Sequence, residues 1–165
     1  MIHFSHVTKT YEESWKALRD VTLRIRKGEF VFLTGHSGAG KSTLLKMIYM
    51  DERPDNVRGG QVLVRLGNDC VYDSKTSPEN SIQGFRRRMG VVFQDFKLLP
   101  DRNVFDNVAF ALRILGKRPK EINGAVFEAL ALVGISQKRF AMPYTLSYQM
   151  GDGKTAVKDV IKAAD

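Results

Sequence analysis

Residues 35–42 read Gly35-His36-Ser37-Gly38-Ala39-Gly40-Lys41-Ser42, with the outer glycines five apart and a lysine and a hydroxyl side chain directly after them. Glycines allow the backbone to turn so that successive N–H groups converge on one point. A helix starting immediately afterwards aims its positive end at the same place. Lys41 adds a mobile point charge, and Ser42 adds an oxygen suited to a hard cation. The pattern is the Walker A phosphate cradle, and its chemistry fits a nucleoside triphosphate such as ATP together with Mg²⁺. The predicted nucleotide-binding residues are Gly35, His36, Ser37, Gly38, Ala39, Gly40, Lys41, Ser42 and Thr43, with Ser42 also a predicted metal ligand. His36 sits where the loop works through its backbone, so no acid–base role is assigned to it.

The flanks of this loop supply the context the motif requires. Before it, Phe30-Val31-Phe32-Leu33 is a continuous apolar run, the pattern of a central parallel strand covered on both faces. After it, Leu44, Leu45 and Ile48 share a predicted helical face. Upstream, Ile2–Ser5 and Val21–Arg26 alternate apolar with polar and predict two half-buried strands, the second ending in a Lys27-Gly28 turn. Downstream, 51–78 is polar and turn-rich and reads as an excursion carrying one strand at Gln61–Leu66. Gly90–Phe93 predicts a second buried strand ending at Gln94-Asp95. Helical spacing then runs from Val104 to Leu115 with Gly116 as a stop, and from Ile122 to Val133 before Gly134. Beyond Gly151 a weaker periodicity, Val157, Val160, Ile161 and Ala164, is opposed by lysines. Gly153-Lys154-Thr155 imitates the end of a second cradle, but Tyr148 stands where its first glycine belongs.

The chain has 165 residues, 43% hydrophobic and 27% charged, the size and mixture of one globular domain. No apolar stretch approaches the ~18 residues a membrane span needs, and the first six residues lack the regions of a signal peptide, which predicts a cytosolic chain. A single cysteine, Cys70, excludes an intrachain disulfide, and the three histidines lack ligand spacing. The formal charge of +8 favours anionic partners. Arg86-Arg87-Arg88 is the one tight basic run. Without interleaved aromatic residues it does not suggest nucleic acid; it reads as a solvated helical face, or alternatively as a patch for phospholipid head groups or an acidic loop.

Several separate stretches resemble the ATP-binding subunits of ABC transporters, and among them the FtsE branch of bacterial cell-division proteins. Val7–Tyr11 is similar to the opening in which an aromatic residue, here Tyr11, stacks on adenine. Leu18–Leu23 and Lys27–Glu29 match the approach to the cradle. Val91–Asp95 is similar to the Q-loop, whose glutamine, here Gln94, contacts Mg²⁺ and senses the membrane subunit. The run from Phe96 to Leu112 narrows the resemblance to the cell-division branch over the exporters that share the cradle. The resemblance implies an α/β P-loop NTPase fold of the ABC type over residues 1–147, with an antiparallel β portion at its N-terminus. It further implies a cytoplasmic ATPase, peripheral on the inner face of the membrane, that forms homodimers and docks on an integral membrane subunit resembling FtsX.

The likeness breaks at Leu146-Ser147-Tyr148-Gln149-Met150, where the family has a glycine-rich signature. The Walker B aspartate, the glutamate after it and the later switch histidine have no counterparts, so the fold is expected to lack its last strands and helices and 148–165 to be an atypical tail, as in a truncated or altered product. Such a chain binds nucleotide but turns it over near background. Two other readings remain: a small P-loop kinase in which Asp95 holds Mg²⁺, and a non-catalytic module that docks on a membrane partner through the helices after Gln94.

Overall fold

Alternating side chains along Ile2–Tyr11 and Trp15–Ile25 build two long strands, β1 and β2, paired antiparallel from Ile2 opposite Ile25 to Tyr11 opposite Trp15. In the computed structural model, residues 1–12, 15–55 and 59–149 are described, and the chain divides into two units, Met1–Met89 and Gly90–Asp165. In the first unit, strand β3 (Gln61–Leu66) adds to β1, and β4 (Cys70–Asp73) adds to β3, giving the antiparallel order β2-β1-β3-β4. Register shifts interrupt the β1–β2 ladder. Around them His6 and Asp20 take φ of 49° and 50°, and their side chains meet at 2.8 Å. Thr8 and Thr22 hydroxyls accept the backbone N–H groups of Asp20 and His6. A bulge resets the two-residue alternation, which explains how Phe4 and Val7, three apart, are both fully buried.

Two helices close this core. Helix α1 (Lys41–Ile48) contributes Leu44 and Met47, and helix α2 (Ile82–Arg86) contributes Ile82 and Phe85, to a cluster with Phe4, Val7, Leu18, Val62, Val64 and Tyr72. The inward face of α1 is Thr43, Leu44 and Met47; Leu45, expected to share it, is half exposed. The stretch 51–78 is more than an excursion. It supplies β3 and the short β4, whose Tyr72 is among the largest fully buried side chains. Asp55 also ties this stretch to β1, through its N–H to the Thr8 carbonyl at 2.9 Å and its carboxylate accepting from the Thr10 N–H at 2.8 Å. A four-residue strand is too short for periodicity to reveal.

In the second unit, α3 (Val104–Ile114) and α4 (Pro119–Leu132) stop at Gly116 and Gly134, both at positive φ, and α5 (Pro143–Gln149) follows. Ala109, Leu112, Ile122, Val126, Leu130 and Leu146 form its core. The predicted helices and their glycine stops are therefore present. Met150 and residues 151–165, including the predicted amphipathic tail and Gly153-Lys154-Thr155, lie outside the described residues.

Two expectations are corrected. Phe30–Leu33 and Gly90–Phe93 belong to no strand, and both are largely exposed, with Phe30 and Phe32 at 83% and 79%. A parallel strand is stable only when neighbours on both sides take up its N–H and C=O groups and helices cover its faces. All four described strands pair among themselves. The apolar run at 30–33 has no ladder to join, and its two phenylalanine rings pack edge to face on each other at 4.8 Å. Exposed apolar side chains on unpaired backbone favour self-association. The double variant Phe30→Lys/Phe32→Lys should reduce light scattering of concentrated protein while changing unfolding free energy by no more than about 1 kcal/mol. A cooperative loss of structure in denaturant titration would show instead that the rings are part of a core.

Candidate functional site: the bend before helix α1

The loop from Gly35 to Gly40 turns through a hydrogen bond from the Ala39 N–H to the His36 carbonyl at 3.2 Å. Gly38 and Gly40 sit at φ 81° and 84°, the left-handed region that disfavours other residues. Gly40 is the N-cap of α1, and its carbonyl accepts the first helical hydrogen bond, from Leu44, at 2.9 Å. No side chain caps this end and no acidic residue occupies the first turn. The first-turn N–H groups lack intrahelical acceptors by helix geometry, so they are donors directed into the bend, reinforced by the helix dipole.

The N-terminus of α3 is built differently. Its first N–H groups are taken by the Ala141 carbonyl at 3.0 Å, the Arg139 carbonyl at 2.8 Å and the Asn103 side chain at 2.8 Å. One helix end is closed by its own chain; the other has no side-chain cap.

Tertiary contacts fix the bend in place. A Cβ on Gly40 would lie 2.3 Å from the Ala17 carbonyl oxygen and 3.0 Å from a Leu18 methyl, so the loop backbone rests directly on β2. At the other end of α1, Arg86 donates from Nε to the Tyr49 carbonyl at 2.9 Å and from Nη2 to the Met50 carbonyl at 2.8 Å. Arg86 therefore caps the helix that carries the loop, whereas the sequence suggested a solvated face or a patch for phospholipid head groups or an acidic loop. Arg87 and Arg88 are exposed, as that reading expects.

Lys41 folds back over the bend, its ammonium donating to the Gly35 and His36 carbonyls at 2.7 Å each. The bend thus already surrounds a charged group. Ser42 is exposed, while Thr43 is buried, which leaves its backbone N–H as the atom nearest to a role in the bend. His36 is exposed and its Nδ1 lies 2.7 Å from the Ser37 carbonyl.

Tyr11 is stacked on Trp15, ring centroids 5.5 Å apart at 28°, with the Lys9 ammonium 5.3 Å from the Tyr11 centroid. Sequence reasoning singled out Tyr11 and missed Trp15, which is 52% exposed and lies beside it because β1 and β2 bring them into register. Lys9 also pairs with Glu52 at 2.8 Å. That hydrogen bond, with another to Tyr11, holds the Glu52 carboxyl below its ordinary value against the opposing effect of burial.

Gln94 is exposed in the second unit, within a turn closed by the Phe96 N–H on the Phe93 carbonyl at 3.1 Å. Lys97, 2.6 Å from Asp95, lowers that carboxyl. The following loop is held by Asn107, whose side chain accepts from the Leu99 N–H at 2.8 Å and donates to the Leu99, Arg102 and Asn103 carbonyls. Asn107 went unnoticed in the sequence because an asparagine inside a helix carries no local signal of a long-range role. Among the described residues no three His, Cys, Asp or Glu side chains come together as a metal site. A hydroxyl beside an anion-binding bend, with no carboxylate cage, suits a Mg²⁺ that keeps its waters and arrives on phosphate oxygens.

The profile of the family described as ABC transporter matches residues 18–157, and the chain belongs to that family. The sequence is 46% identical over 147 residues to the cell division ATP-binding protein FtsE of Bacillus subtilis, covering 89% of this chain and 61% of that one. It is 43% identical over 150 residues to FtsE of Escherichia coli K12, at 89% and 63% coverage. The methionine import ATP-binding protein MetN of Helicobacter pylori is 40% identical over 147 residues, covering 89% of this chain and 42% of that protein. The chain thus spans about three fifths of the length of the FtsE relatives. Among solved structures, the dimeric post-hydrolysis state of the ATP-binding cassette MJ0796 bound to ADP and Pi superposes with a TM-score of 0.76 at 27% identity, over 99% of this chain and 68% of that one. The fold is accordingly that of an α/β P-loop NTPase of the ABC type, with its antiparallel β portion at the N-terminus.

Gly40 gives the site a sharp test. Gly40→Ala should destabilise the first unit by more than about 1–3 kcal/mol, since it combines a left-handed backbone with a collision against fixed backbone. Gly84→Ala is the control, because its added methyl meets nothing within 4 Å. Equal unfolding midpoints for the two variants would mean that the loop does not rest on β2.

Proposed function

We propose that this chain is an ATP-binding subunit of an ABC complex acting in bacterial cell division, peripheral on the cytoplasmic face of the membrane. The observation that carries the reading is the open, uncapped N-terminus of α1 behind a glycine bend, with Lys41 held over it. The backbone N–H groups of residues 35–43 bind the polyphosphate, and Lys41 leaves the Gly35 and His36 carbonyls to meet the β- and γ-phosphates. The Ser42 hydroxyl would take a place in the shell of a Mg²⁺ ion, which would supply charge neutralisation of the triphosphate. The Tyr11–Trp15 pair is the stacking surface for adenine. The resemblance to FtsE further suggests an integral membrane partner like FtsX and a homodimer. Residues 1–147 make up part of the cassette and 148–165 an atypical tail.

Titration of the purified chain with a fluorescent ATP analogue should show saturable binding in the presence of Mg²⁺ that Lys41→Ala weakens at least tenfold, the effect of ~1.4 kcal/mol. Absence of binding by folded protein would remove the basis of the assignment.

The same chain lacks the Walker B aspartate, the catalytic glutamate and the switch histidine at any matching position of its 165 residues. A water-positioning base is worth ~10²–10⁴-fold, so phosphate release from Mg-ATP should stay near the uncatalysed rate. Turnover that disappears in Lys41→Ala would contradict this and assign hydrolysis to the chain itself.

A further inference from the structure

A cluster of side chains on the second unit includes none of the residues assigned to nucleotide. The Phe105 and Phe127 rings meet edge to face, 6.1 Å apart at 61°. The Arg139 guanidinium carbon stands 5.6 Å from the Phe127 centroid and 4.7 Å from that of Phe140. Phe127 and Phe140 are 46% and 68% exposed. The Arg139 side chain donates from Nη1 to the Ser136 carbonyl at 3.3 Å, and among the described residues its buried Nε has no hydrogen-bond partner. Among the described residues no carboxylate pairs with it, whereas Arg53, Arg86 and Arg118 each face one.

A guanidinium packed near two rings is partly ordered in advance, so a bound carboxylate would gain a planar, two-pronged donor at reduced ordering cost. Exposed phenylalanines on both sides add apolar area of the kind that forms interface centres, where aromatic residues and arginine dominate. A single cation does not form the basic track that a nucleic-acid backbone needs. We propose that Phe127, Arg139 and Phe140 form a docking surface for a partner-protein segment that presents an aspartate or glutamate flanked by apolar side chains.

The probe is a phage-displayed library of short random peptides, selected against the immobilised full chain. Selected peptides should share an acidic residue next to aliphatic or aromatic ones. A synthetic copy should bind the wild type about tenfold or more tightly than it binds Arg139→Gln or Phe140→Ala. Arg139→Lys should restore little, because an ammonium lacks the planar fork. ATP-analogue binding should be unchanged in all three variants, which separates this surface from the nucleotide site. Phe140 is exposed enough for its variant to remain folded should the arginine variants fail, and circular dichroism checks each. The proposal is overturned if no acidic pattern emerges, or if the selected peptide binds Phe140→Ala and Arg139→Gln as well as the wild type. Oligothymidylate binding that is lost in Arg139→Gln would assign the surface to nucleic acid and would overturn it equally.

Discussion

The backbone of Gly40 lies against the carbonyl of Ala17, and much of the first unit is arranged around that contact. A residue with any side chain would push the loop away from β2. With glycine there, the first turn of α1 is seated on the antiparallel sheet, and Leu44 and Met47 reach the core beside Phe4, Val62 and Val64. Anion binding by backbone amides depends on their being immobile beforehand, because ordering a floppy loop at the moment of binding would offset much of the electrostatic gain. The sheet below, Arg86 at the far end of α1 and the turn at 36–39 together supply that rigidity.

Lys41 contributes to the fold of the bend itself. Its ammonium satisfies two carbonyls of the tight glycine turn, those of Gly35 and His36. The contacts are exposed, so they compete with water and are readily exchanged.

The apolar runs at 30–33 and 90–93 illustrate a limit of reading strands from composition. Both carry the pattern of a strand buried on two faces, yet each is largely exposed and joins no strand ladder among the described residues. Hydrophobic patterning reports the environment a segment suits; hydrogen-bonded neighbours decide whether it receives one. The antiparallel strands β1 to β4 find partners within the first 73 residues and form regardless.

Much was therefore legible from the amino-acid order alone. The cradle at 35–42, strand character at Ile2–Ser5 and Val21–Arg26, β3 and the two glycine-stopped helices follow from local rules of backbone freedom, alternation and helical spacing. Other features depend on residues distant in the chain. Trp15 beside Tyr11 requires a register, Arg86 on the α1 carbonyls requires two helices to pack, and Asn107 binding Leu99 requires a loop to fold over a helix. The approach of Arg139 to the Phe127 and Phe140 rings likewise exists only once the α4 side chain meets the segment after it. Sequence determined which groups could bind an anion, because that ability resides in short-range backbone geometry. Tertiary structure decided which were held still and which stayed unpaired, because rigidity and satisfaction are properties of contacts made across the chain.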